Sequence, residues 1–139
     1  MKPLAISFIT AAIVILSHLV NAQNYIGLHK NEIAKRMPQE NKGFFFEKEV
    51  NVDDRGFLKY VNTLEEQTIL FMIDTEGYCT AVSRMYNTWL YNQVVKELNS
   101  KYQQVSTNKW LEVKDGKNYD LILVKGKWFL TINLRPHNK

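Results

Sequence analysis

The stretch WLEVKDGKNYDLILVKGKWFLTINLR, Trp110 to Arg135, decides the fold class. Asp115-Gly116 is a strong two-residue hairpin signal, because the left-handed dihedrals of a tight strand reversal are cheap only for such residues. Trp110–Lys114 and Tyr119–Val124 are therefore expected to pair as antiparallel strands. Lys125-Gly126 turns the chain again. Trp128, Leu130, Ile132 and Leu134 then alternate with Phe129, Thr131, Asn133 and Arg135, the period of two that sends side chains to opposite faces of a strand. Pro136 has no amide proton to offer a ladder and closes the strand.

The segment before this meander has a helical period. Leu90, Val94 and Leu98 recur every fourth residue, Tyr91, Val95 and Tyr102 widen the stripe, and Asn92, Gln93, Lys96 and Glu97 take the polar side. Asn87 is placed as its N-cap and Asn99-Ser100 as its end. Further upstream the period returns to two. Phe44, Phe46, Val50 and Val52 alternate with Phe45, Glu47, Glu49 and Asn51, and Lys48 intrudes on the apolar side. Asp53–Gly56 reads as a turn, Phe57–Val61 as a second strand and Tyr78–Met85 as a fourth. Between them Thr68–Ile73 is continuously apolar, as a strand covered on both faces would be. A first helix precedes these strands. Ile33 and Met37 share its inner face, His29 stands at the N-cap position, Glu32 stands where a capping-box acid would lie, and Pro38 is the expected stop. The order is α-ββββ-α-βββ, an α+β domain with an antiparallel sheet of about seven strands and both helices on one face, since two helices cannot cover two faces of so wide a sheet. No internal repeat, low-complexity tract or linker interrupts it.

The chain opens differently. Lys2 precedes Leu4–Leu16, an uncharged run of 13 residues. As a helix that run covers only ~20 Å of a hydrocarbon core ~30 Å thick, too little to span it. Val20 and Ala22 stand at the −3 and −1 positions of a peptidase site before Gln23. Residues 1–22 are thus expected to be a cleaved signal peptide and 23–139 a single exported domain, periplasmic or extracellular, with no stable membrane anchor after cleavage. Losing Lys2 lowers the formal charge from +4 to +3. That balance is too mild for a nucleic-acid partner.

Cys79 is the lone cysteine, so no intrachain disulfide exists. An intermolecular disulfide is the chemistry open to it; nucleophilic catalysis would need a cation or a base beside it. His29 and His137 lie far apart and form no metal-ligand spacing. Asn51–Gly56 is superficially like a calcium loop, but Arg55 fills a ligand position and Asn62 stands where the closing glutamate belongs. The acid pairs Asp53/Asp54, Glu65/Glu66 and Asp74/Glu76 fall in turns. No catalytic, cofactor-binding or metal-binding residue is assigned. Rings, in contrast, are abundant, and Trp128 and Phe129 point oppositely. Some aromatic surface should remain uncovered, and Trp110, Trp128 and Phe129 are its expected members.

Tyr25-Ile-Gly-Leu, Glu32-Ile33, Met37, the apolar strand Thr68–Ile73, Tyr78-Cys79, Leu98-Asn99, Tyr102 and Trp110, taken in order, resemble small exported proteins of Gram-negative bacteria without assigned function. Gly27, Glu32-Ile33 and Met37 are also similar to the first helix of β-lactamase-inhibitor-like and outer-membrane-assembly modules. In those modules a second helix follows directly, whereas Gly43 begins strands here. The resemblance transfers no catalytic residue. The expectation is an exported, non-catalytic binding protein that meets an envelope protein or glycan through a ring-bearing sheet face. A small enzyme using Cys79 or a loop carboxylate, and a carrier of an apolar ligand between helix and sheet, are the alternatives.

Overall fold

The computed structural model describes residues 24–138. The signal-peptide reading, with its cleavage residues Val20, Ala22 and Gln23, lies outside them. Helix α1 (Lys30–Glu40) leads into strands β1 (Phe45–Val52), β2 (Arg55–Asn62), β3 (Gln67–Ile73) and β4 (Cys79–Asn87). A 3-10 turn (Thr88–Leu90) and helix α2 (Tyr91–Lys101) lead into β5 (Gln103–Ser106), β6 (Lys109–Lys114), β7 (Lys117–Lys125) and β8 (Phe129–Pro136). All eight strands form one sheet in the order β1-β2-β3-β4-β8-β7-β6-β5, every neighbouring pair antiparallel.

The eighth strand corrects the seven-strand expectation. Gln103–Ser106 is polar and exposed along its whole length, so no alternation announces it. It forms because Tyr102 ends α2 in an extended conformation beside the edge of β6. The topology now repeats, although the sequence does not: a helix and four strands, twice, joined at the β4–β8 ladder.

One face of the sheet carries the core. Leu58, Tyr60, Ile69, Phe71, Val82, Tyr86, Leu121, Leu130, Ile132 and Leu134 alternate into it and meet Ile33 and Met37 of α1 and Val94 and Leu98 of α2 in a single buried cluster. Burying a large apolar side chain in such a cluster stabilises the fold by roughly 1.5–3 kcal/mol. Residues 24–29 lie against the same core. Tyr25 stacks on Phe71 at 5.5 Å, and Gly27 and Leu28 exchange backbone hydrogen bonds with Cys79 at 2.8 Å. The β3 expectation is corrected here. Gln67, Ile69, Phe71 and Ile73 are buried, but Thr68, Leu70 and Met72 face the helix-free side and are only half-buried.

Strand β1 resolves the Lys48 intrusion. The register with β2 shifts between Phe46 and Lys48, leaving Glu47 as an extra residue in a bulge. Beyond it the faces exchange, so Lys48 leaves the helix side and Glu49 takes it, where Glu49 pairs with Lys30 of α1 at 2.9 Å. Helix α1 also continues past Pro38 to Glu40, because one missing amide costs a single hydrogen bond and Asn41 N–H still reaches the Met37 carbonyl at 2.9 Å. His29 is its N-cap, its Nδ1 accepting from Asn31 N–H at 3.2 Å. Asn87 caps the 3-10 turn without a side-chain bond to it; its amide donates instead to Glu66 at 2.9 Å.

Candidate functional site

The helix-free face of the sheet is the first candidate. Alternation opposite the core brings Phe57 and Val61 of β2, Leu70 and Met72 of β3, Met85 of β4 and Ile122 of β7 onto it, all half-buried. No described element packs over them. At the central ladder Ser83 Oγ donates to Asn133 Oδ1 at 2.6 Å. Towards one side Asp120 is buried on the same face, 2.7 Å from His137 Nδ1 and 3.7 Å from Lys109 Nζ. A lysine ammonium and a hydrogen-bonding imidazole make burial of that carboxylate tolerable. The face is apolar over β2 and β3, polar at the central ladder and charged at its β6–β7 flank.

One end of the same sheet is the second candidate. Antiparallel pairing gathers the β2–β3 turn, the β4–α2 connection and the β7–β8 turn at that end, and hydrogen bonds tie them together. Thr88 Oγ1 donates to the Trp128 carbonyl at 2.7 Å, and Asn87, which donates to Glu66, stands opposite Phe129 in the ladder. Leu64, Trp89, Trp128 and Phe129 project there with relative exposures of 96%, 75%, 69% and 52%. Lys127 Nζ lies 5.2 Å from the Trp128 ring centre, and Lys125 Nζ lies 4.5 Å from that of Tyr91.

Of the three rings expected to be exposed, Trp128 and Phe129 are exposed, Trp128 from the turn just ahead of β8 and Phe129 from its first position. Trp110 is not: it is 1% exposed on the helix side, its Nε1–H donating to Asn99 Oδ1 at 2.8 Å. Its parity in β6 matches that of the core residue Leu121 opposite it, so it fills the space beneath α2. Trp89 and Leu64 were missed because both sit in connections, where no periodicity assigns a side.

Cys79 departs from its expected role as an intermolecular thiol. It is 2% exposed, and burial pushes its thiol up to about 12, with a backbone hydrogen bond at Ala81 opposing the shift and Asp74 adding to it. A neutral, enclosed thiol is neither a nucleophile nor a ready disulfide partner. The histidines do not reach it as bases: His29 packs edge-on against Tyr78 at 5.2 Å, and His137 is taken by Asp120. Asp74 is an intramolecular turn acceptor, its Oδ1 receiving Glu76 N–H and Tyr78 N–H. Among the described residues no group of three or more His, Cys, Asp or Glu converges as metal ligands would.

A third feature is an open groove of about 750 Å³ between α1 and β1, lined chiefly by Ala34, Met37, Phe44, Phe46, Leu58 and Tyr60. It exists because the Glu47 bulge and the edge position of β1 leave that strand only partly roofed by α1. The chain matches no family model, no curated protein and no solved structure.

Proposed function

We propose that the chain is an exported, non-catalytic binding protein and that the helix-free face of its sheet docks a protein partner. The observation that carries this reading is the apolar patch over β2 and β3, with Phe57 opposite Met72 and Leu70 two positions along on a surface that no described element covers. A broad face of this kind suits the flat core of a protein interface better than a small ligand, which favours a concave site. That apolar patch and the polar groups beyond it, Ser83 with Asn133 and then Asp120, Lys109 and His137, follow the centre-and-rim pattern of such interfaces. The test places a photo-crosslinker at Met72 and, as control, at exposed Ser100 on α2, in the bacterial envelope fraction. A discrete protein adduct at Met72 alone, competed by added wild-type chain and not by Leu70→Glu, is the expected result. Equal labelling at both positions, or competition by the variant, ends the reading.

The α1–β1 groove supports a second reading, carriage of an apolar ligand, because its volume falls in the range of small-molecule sites. On that reading an apolar fluorescent probe binds the chain and Ala34→Trp, which fills the groove, expels it. Binding unchanged by the substitution removes it.

A further inference from the structure

We propose that the partner of the helix-free face is a protein with an acidic surface, whose carboxylates meet Lys48 on one side of the apolar patch and Arg135 on the other. The inference rests on the reading that this face docks a protein, and it names the chemistry of what docks there.

Strand parity sets the charges of the face. Lys59 stands opposite Leu70, and Lys48 stands opposite Lys59. Across the sheet Arg135 stands opposite Asp120, and Lys109 opposite Ile122. Glu47 reaches the same face from its bulge to pair with Lys59 at 2.8 Å. The face thus holds four bases and two acids. The remaining bases and acids of the described residues are equal in number, twelve of each, so the positive excess of the described domain lies on this one face.

Pairing within the face leaves that excess on two particular side chains. Glu47 takes Lys59, while Asp120 engages His137 with one oxygen at 2.7 Å and Lys109 with the other at 3.7 Å. Lys48 and Arg135 are exposed and form no ion pair among the described residues.

Their placement defines the partner. Strands β1 and β8 are four ladders apart, about 19 Å at the ordinary spacing of strands, and Phe57, Leu70 and Met72 lie between them. Two open cations at the margins of an apolar patch steer an acidic surface into place and turn a basic one away. A nucleic acid, whose phosphates are evenly spaced, calls for an unbroken basic stripe, and here the patch interrupts it.

The experiment uses the full chain with the photo-crosslinker at Met72, in the envelope fraction. The rate of adduct formation is measured for the otherwise wild-type chain and for Lys48→Glu with Arg135→Glu. The control is Lys35→Glu with Lys96→Glu, two exposed positions on α1 and α2 that change the net charge equally. The face pair should lower the rate by about tenfold, and the helix pair should leave it near the wild-type value. Added salt should slow the chain that carries neither pair, a readout independent of how any variant folds. The protein joined to Met72 should carry Asp and Glu in excess of Lys and Arg around the linked peptide. A Met72 adduct that ignores salt, that falls equally with both pairs, or that links a basic surface overturns the inference and leaves docking intact. So does an adduct lost on nuclease treatment, or one that joins two copies of this chain. Absence of any adduct specific to Met72 ends the docking reading and the inference with it.

Discussion

Glu112 shows how a single side chain can oppose the fold it belongs to. It is half-buried on β6, and that burial raises its carboxyl above the ordinary carboxylate range, while Lys114 and the Asn24 amide, 3.4 Å away, pull it down. A carboxyl raised on folding binds its proton more readily in the native state. Stability therefore falls as pH rises from the unfolded value through the folded one, and the full penalty persists above it. Glu112→Gln keeps the shape and the acceptor for Asn24 without the charge. Thermal denaturation should show Tm raised by a few degrees at neutral pH and unchanged below the carboxylate range. A variant that lowers Tm at neutral pH contradicts this account. At the same scale, the sequence revealed which residues share a face but not what covers that face. Trp110 and Phe129 both read as strand aromatics. One roofs the core and the other meets solvent, because α2 lies over only one side.

Strand β1 carries the clearest lesson at the scale of elements. Strict alternation forces Lys48 onto the apolar side; the Glu47 bulge removes the conflict by adding one residue that pairs with nothing opposite. Deleting Glu47 should leave the pairing of Phe46 with Tyr60 and of the residues beyond intact. The loss is the 2.8 Å ion pair to Lys59, in which Glu47 is exposed, and the urea denaturation midpoint should stay close to that of the wild-type chain. Deleting Leu70 from the centre of β3 should instead turn half of that strand inside out and prevent folding. If the two deletions cost the same, the bulge is not what sets the register. Most elements were legible from the sequence because their signals are local: Asp115-Gly116 for the β6–β7 hairpin, the every-fourth apolar stripe for α2, and alternation for β8. Strand β5 was not, since four polar residues at an edge bury nothing. The passage of α1 through Pro38 was not either, because the helix is held by Ile33 and Met37 in the core and not by local preference.

The whole molecule joins two like units, each a helix followed by four strands, and their last strands, β4 and β8, lie side by side with Ser83 and Asn133 near the middle of the seam. Such a unit is self-complementary: two identical copies could meet last strand to last strand in the same way. The chain is thus equivalent to a tethered pair, with the Thr88–Leu90 link standing in for the encounter of two free subunits. Because the tether guarantees the meeting, each half can diverge without losing its mate. The halves differ: the first holds the groove beside its bulged edge, and the second holds the buried aspartate with its two basic companions. A symmetric pair would be obliged to carry both features twice, whereas this chain can specialise one flank without altering the other.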